Sequence, residues 1–488
     1  MKKNQVLFIL ILLLFFSCSQ KDIFDYKRKY LTKFNDVNSI KENLYNLANE
    51  NTKGLYPGTN EFNFAADYIA YKFDLLNLKK APFLKTYFQN FSINTGVLSD
   101  IPQVWINNNH LQAGKDYIVS MTSGNGNIKN SELVFVGFGI SNGEDRYDDY
   151  KSVNVENKVV IAFKNLPKEF LINNPEYSNL YYRSYIAKSY GAKGIIYLDS
   201  ESFSTKEIQN TAYLPEFIDL SNFPQLILPF NRLNLFLKED SINFTAIRND
   251  IISSNEPYSF SLQSKIAMSI PMEYKRRKTM NIIGYLPANI KNPQKANNIL
   301  FTTHLDGMGK QTEKIYYKNI VYNTSSVLCL LNLAEKISSI EKYNRKNNIY
   351  FVIFSGKEKG LIGGKQLLDT QKFSSLNTRY MIKLSNIGAS SHFFELGGGL
   401  DYPKLYEKFD LANKTFNIKL DFSVSHSGYA EEKLFAERNI PSLYIYSPDL
   451  KLKNTLQDSR ENLNFKGINR ISKILFLATF DDIFKVEK

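Results

Sequence analysis

The sequence predicts an α/β protein: a mostly parallel sheet with helices on both faces, plus an inserted β-rich domain. Three observations predict this. From about residue 263 onward, apolar runs of strand length alternate with helix-period patterns. Residues 96–262 are instead dominated by short β-branched and aromatic runs. The stretch Ser39–Phe91 is mostly helical, with Leu44, Leu47, Tyr68, Ile69 and Phe73 at helix-like spacings around the turn Tyr56-Pro57-Gly58-Thr59.

In the C-terminal part, strands are expected at Met280–Tyr285, Asn298–Thr303, Ile349–Ser355, Tyr380–Leu384 and Ser442–Tyr446. Helices are expected at Ser325–Ile337, Leu361–Leu368, Pro403–Phe409 and Ile468–Phe484. Pro403 suits a first helical position, where a backbone donor would have no partner in any case. Alternation of this kind implies parallel strands joined by helices, and in such sheets the functional crevice lies at the carboxyl ends of the strands. In the insert, Leu133–Phe138, Val159–Phe163 and Gly194–Leu198 read as buried strands, and Tyr185–Tyr190 as a helix stopping at Gly191. The expected organisation is a leader over 1–18, a helical N-terminal part of the core over 19–95, the insert over 96–262 and the α/β core over 263–488.

The 488 residues are 43% hydrophobic and 22% charged, which is globular composition. The net charge of +13 comes from scattered lysines, with one short cluster at Lys275-Arg276-Arg277-Lys278. No basic and aromatic interleaving points to nucleic acid. Two cysteines, Cys18 and Cys329, exclude a disulfide framework and a cysteine-rich zinc motif. A serine-hydrolase elbow is absent, and the Gly397-Gly398-Gly399 run lacks the Lys-Ser/Thr of a phosphate loop, so it reads as a turn. There are four histidines, His110, His304, His392 and His426.

At the N-terminus, Lys2 and Lys3 precede the apolar run Val6–Phe16, followed by Ser17-Cys18 and polar residues. This is the layout of an export signal, too short to span a bilayer. The small residue before Cys18 resembles a bacterial lipoprotein signal, which implies cleavage before Cys18 and acylation of its thiol. An ordinary cleaved signal peptide is the alternative. Cys329, in an apolar helical pattern, reads as a buried structural thiol.

An ordered set of fragments resembles the zinc aminopeptidase family that includes glutamate carboxypeptidase and transferrin-receptor-like proteins. Gly54-Leu55-Tyr56-Pro57-Gly58-Thr59 resembles its early Gly-Arg-x-x-Gly-Thr turn. Leu133–Gly139, Tyr147-Asp148-Asp149-Tyr150, Asn157-Lys158-Val159-Val160 and Tyr190-Gly191-Ala192-Lys193-Gly194 resemble its inserted protease-associated domain. Thr279-Met280-Asn281-Ile282-Ile283-Gly284 resembles the strand re-entering the zinc-exopeptidase core.

The resemblance implies two zinc ions held by His, Asp and Glu, with a nearby Glu as general base. His304-Leu305-Asp306 matches the His-x-Asp motif, making His304 a metal ligand and Asp306 the carboxylate that orients it. Glu358 keeps a second ligand position. Elsewhere the pattern fails. Tyr322 stands for the bridging aspartate, Lys357 for the general base, Ser385 for the next aspartate ligand, and Asn454 for the last histidine ligand. No histidine follows His426, so the last loss does not depend on alignment. A neutral phenol bridges metals poorly, and an ammonium accepts no proton. Lys357 is expected to pair with Glu358. Asp306, His392, Glu395, His426, Glu431 and Glu432 are the alternative donors for a rewired site.

The expectation is therefore a lipoprotein of the bacterial cell envelope, membrane-held at Cys18, with a catalytically inactive cleft that binds a peptide or protein ligand. No nucleic acid partner is expected, and zinc is doubtful. The alternative is an active metallo-aminopeptidase with a remodelled zinc site.

Overall fold

The computed structural model describes residues 22–120, 122–141, 147–167, 177, 180–199, 211–212, 220–237, 240, 242–307, 309, 316–357, 360–374, 377–428, 430–453 and 457–485. The expectations at Cys18, Glu358 and Asn454 lie outside these residues. The chain divides into two compact units. One comprises residues up to Ser92 together with Lys278–Gly309 and Tyr316 onward; the other comprises Ile93–Arg277 and 310–315.

Seven strands of the first unit's sheet frame the site, in chain order: β1 (Met272–Leu286, entering the unit at Lys278), β2 (Asn298–His304), β3 (Asn348–Phe354), β4 (Thr378–Ser385), β5 (Phe393–Gly397), β6 (Asp421–Ser425) and β7 (Ser442–Tyr446); Lys79–Lys80 and Phe88–Leu98 add to the sheet beside β1. The seven lie side by side in the order β6-β5-β7-β4-β2-β3-β1. The four central strands β7, β4, β2 and β3 are parallel. At the flanks β1 runs antiparallel to β3, and β5 antiparallel to β7. The sheet is thus mixed, where a mostly parallel one was expected. The reason is local. The last return before β7 places β5 and β6, two short and half-exposed strands, against the core in the opposite sense.

The main helices are α1 (Asn38–Leu47), α2 (Asn60–Leu75), α3 (Ser325–Ser338), α4 (Ile362–Leu368), α5 (Pro403–Phe416), α6 (Glu431–Ala436) and α7 (Phe465–Ile483), with a helical segment over 22–30 before them and a short helix Gln371–Ser374 after α4. Strand alternation sorts the side chains into two cores. Ile349, Phe351 and Ile353 of β3 join Ile299, Phe301, Ile382 and Leu384 under α1, α2, α3, α5 and α7. Tyr350, Val352 and Phe354 point the other way and pack with Leu300, Met381, Leu367 and Phe435, beneath α4 and α6. Because the central strands are buried on both faces, they read as near-continuous apolar runs. Cys329 is a free, buried thiol in α3, and burial pushes its pKa up to about 12. It is therefore a packing residue.

In the second unit, strands Gly126–Val136, Val159–Phe163, Gly194–Asp199 and Gln225–Pro229 lie in parallel succession. Ser259–Ile270 runs antiparallel to the first of them. Arg183, in the helix Leu180–Ser189, is fully buried, and its guanidinium donates to the carbonyls of Phe138, Phe163 and Lys164. Among the described residues no helix is long and apolar enough to cross a membrane.

Candidate functional site

The parallel strands β7, β4, β2 and β3 end at one edge of the sheet. There they deliver Tyr446, Ser385, His304 and, just past β3, Lys357. The loop after His304 is seated by the early turn. Leu55 O accepts the Gly307 N–H and Gly54 O the Gly309 N–H, both at 2.9 Å. Gly54 has φ +76°, and a Cβ there would lie 2.3 Å from the Gly309 carbonyl carbon, so the turn can approach only as glycine.

His304 is fully buried. Its Nε2 lies 2.8 Å from Asn323 Oδ1, while the Asn323 amide donates to the Asp306 carbonyl. That fixes the roles: Asn323 accepts, Nε2 carries the proton, and Nδ1 is a bare lone pair with no hydrogen-bond partner. Burial first, then the charges of Lys357 and Lys383 and further that of Lys453, hold the imidazole well below its ordinary pKa. It is neutral. The ring is oriented by Asn323 and not by Asp306, whose Oδ2 accepts the Lys357 backbone N–H at 3.0 Å.

Tyr322 sits in a π-helical turn, Ile320–Thr324, that leads into α3. Turns of this width occur mostly as single insertions, frequently at functional sites. The turn is held by Asp458, which is buried and accepts the Val321 and Tyr322 N–H groups at 2.6 and 3.1 Å. Burial pushes the Asp458 carboxyl up to about 6 against these bonds. The Tyr322 phenol oxygen accepts the Lys357 ammonium at 3.0 Å. Two ammonium groups, Lys357 and Lys453, each lie 5.0 Å from the centre of its ring. The centres of the His304 and Tyr322 rings lie 6.0 Å apart, in an edge-to-face arrangement.

Behind this group lies a fully buried ion pair. Lys383, in the middle of β4, bonds Glu431 at the start of α6, and neither side chain has any exposure. Gly364, in α4, lets that helix approach Glu431 of α6 closely, since a Cβ there would meet Glu431 Cγ at 2.8 Å. Burial lowers the Lys383 pKa while Glu431 raises it. Burial raises that of the neighbouring Glu432, which caps the Gly428 and Ala430 N–H groups. The Tyr444 phenol is raised by burial beside Lys357 and Tyr322.

Of the alternative donors, His392 and His426 are exposed: His392 bonds Ser391, and His426 bonds Asp401 at 2.6 Å. Glu395 accepts the Ser425 hydroxyl. Among the described residues no group of three or more His, Cys, Asp or Glu side chains is placed to hold a metal ion. Sequence reasoning missed Lys383, Lys453, Asn323 and Tyr444. The signal for the first was present: a lysine between Ile382 and Leu384 in a buried strand needs a carboxylate partner, and the Glu431-Glu432 pair offered one.

These strand ends and their loops fall within one segment of the chain. Residues 281–479 match the sequence profile of Peptidase family M28. The M28 region thus contains His304, Tyr322, Lys357, Lys383, Ser385 and Glu431. The whole chain also resembles solved structures. An aminopeptidase from Aneurinibacillus sp. strain AM-1 superposes with a TM-score of 0.67 at 15% identity, over 94% of this chain and 98% of that one. A peptidase M28 precursor from Shewanella amazonensis SB2B gives 0.62 at 12%, over 94% and 96%. BSAP, a zinc aminopeptidase from Bacillus subtilis, gives 0.60 at 15%, over 93% and 96%. No curated protein sequence matches the chain. The fold resembles that of these solved aminopeptidases, and among the described residues of the matched segment no cluster is placed to hold a metal.

The described residues around His304 do not suit zinc. His304 Nδ1 is a donor of the right kind, yet the ammonium groups of Lys357, Lys383 and Lys453 already lower the proton affinity of its ring, and a dication would meet the same repulsion more strongly.

Proposed function

We propose that the chain is a non-catalytic member of the zinc aminopeptidase family, and that it uses the edge around His304 to bind a peptide or protein ligand. The observation that carries this reading is the contact of Lys357 with Tyr322 at 3.0 Å. On the family resemblance these are the general-base and bridging-ligand positions. An ammonium bonded to a phenol there can neither take a proton from water nor bridge two metals. Tethered cations then supply the positive charge that metals supply in an active enzyme. Ser385 and Asn454, standing at two further ligand positions, support this reading, while His304 and Glu358 are the two ligand positions kept.

The unit from Ile93 to Arg277 corresponds to the protease-associated-like insert, for which the sequence motifs span 96–262. The leader and Cys18 support export and a lipid anchor, placing the protein in the bacterial cell envelope, with no nucleic acid partner.

One observation favours the second reading, an active metallo-aminopeptidase with a remodelled site. Glu431 Oε1 and Glu432 Oε2 are buried without hydrogen-bond partners, and carboxylate oxygens of this kind are cation ligands. The two readings separate in one experiment. The purified chain is assayed for bound zinc and for aminoacyl-anilide and peptide hydrolysis, with and without chelator. The non-catalytic reading expects no stoichiometric zinc, no turnover and an unchanged melting temperature on chelation. Stoichiometric zinc with chelator-sensitive turnover would establish the second reading instead.

A further inference from the structure

A recess of about 280 Å³ opens on the first unit beside the N-terminal half of α7. Its volume falls just below the ~300–1,000 Å³ of sites for drug-sized ligands, so it suits a group of a few heavy atoms. Lys466, Arg470 and Lys473 line it together with Asn35 and Asn469, and Val37 and Phe465 supply its apolar wall. The spacing of 466, 470 and 473 puts the three cations on one face of α7.

None of the lining residues is acidic. Asp36, adjacent to Asn35 in sequence, is exposed and accepts the Asn38 N–H at 2.9 Å. The polar bonds at the recess use neutral acceptors: Lys473 donates to Asn35 Oδ1 at 2.8 Å, Arg470 Nη1 to the Ser391 carbonyl at 3.0 Å, and the Asn469 amide to the Phe34 carbonyl. Three cations therefore share a cavity without a neutralising carboxylate. Consistent with that crowding, burial and then the Arg470 charge lower the Lys473 pKa.

We propose that this recess is an anion site that takes a phosphate group, either free or as the headgroup of a phospholipid. Arg470 keeps N–H groups of its planar fork for two phosphate oxygens, and the flanking lysines act as point charges. An acyl anchor at Cys18 would favour the headgroup, because Asn35 of the recess wall follows Cys18 by only 17 residues in sequence. The site is separate from the edge around His304 and does not depend on how that edge functions.

The test uses thermal melting of the purified full chain in inorganic phosphate against chloride at matched ionic strength. A saturable rise in melting temperature with phosphate is expected, and it should be lost in the Arg470→Gln/Lys473→Gln variant. The melting of that variant in chloride shows whether it folds. Lys466→Gln, a milder change on an outer cation, should weaken the phosphate effect about threefold, the scale of one exposed ion contact. A second arm compares dihexanoyl phosphatidylglycerol with dihexanoyl phosphatidylcholine, both below their micelle-forming concentrations. Stabilisation by the glycerol lipid at lower concentration than inorganic phosphate assigns the headgroup; the reverse order assigns free phosphate. Equal melting in phosphate and chloride with no lipid effect, or an equal shift in the double variant, overturns the proposal.

Discussion

The Lys357 ammonium lies 3.0 Å from the Tyr322 phenol oxygen and 5.0 Å from the centre of the same ring. A cation is thus held at once by a lone pair and by a π face, both belonging to one side chain. Replacing it by a carboxylate in Lys357→Glu removes both ammonium contacts and sets a negative charge against the ring face, with the phenol O–H as the one donor on Tyr322. The expected cost is about 1–3 kcal/mol in urea unfolding. Lys357→Met should cost less, because the apolar stem is kept. Identical midpoints for wild type and Lys357→Glu would show that the ammonium is no part of the site's charge balance.

The buried pair of Lys383 and Glu431 makes a sharper prediction. Lys383→Met leaves an uncompensated carboxylate with no exposure and should cost about 3–5 kcal/mol. Adding Glu431→Gln should recover a large part of that loss, so the double variant is more stable than the sum of the single changes implies. Additive losses in chemical denaturation would mean that the two charges are not coupled.

Asp149 sets a pH dependence in the second unit. Its Oδ2 accepts the Phe138 and Ile140 N–H groups at 3.1 and 3.0 Å, and burial pushes its pKa from 3.8 up to about 7. Between those values the folded chain holds a proton that the unfolded chain has released. Stability from this group therefore rises as pH falls from about 7 towards 4, and is lost as pH rises through 7. Asp149→Asn should flatten that slope, as read by urea unfolding at pH 5 and pH 8. Asp458, raised to about 6, acts with the same sign and leaves a residual slope below pH 6.

Gly54→Ala should destabilise the first unit by about 2–4 kcal/mol, since it combines a positive φ with a backbone collision against Gly309. Thermal melting checks this. A neutral result would mean that the loop after His304 does not lean on the early turn.

The core was legible because its strands are buried on both faces. Ser442–Tyr446 was placed residue for residue, and α3 was expected at Ser325–Ile337 and found at Ser325–Ser338. The strands Phe393–Gly397 and Asp421–Ser425 were not anticipated, because half-exposed short strands lack a continuous apolar run. The helix expected to stop at Phe409 continues to Phe416 and ends at Asn417 in a left-handed conformation. Asparagine tolerates that conformation and closes the helix without glycine. At the site, His304 was found because motif and strand end coincide. Its orientation by Asn323 was not, because an amide 19 residues away in sequence carries no spacing signal; only the π-helical turn brings it within 2.8 Å.

The ion pair beneath the site has one more consequence, for reversibility. A metal cofactor is exchangeable: it can be stripped, replaced or starved out by the environment. Lys383 and Lys357 are covalent parts of the chain, so their charge is present at unit stoichiometry whatever the supply of trace metals. On the non-catalytic reading, a cleft charged by its own lysines does not depend on metal supply, and metal chemistry there would first require removing those charges.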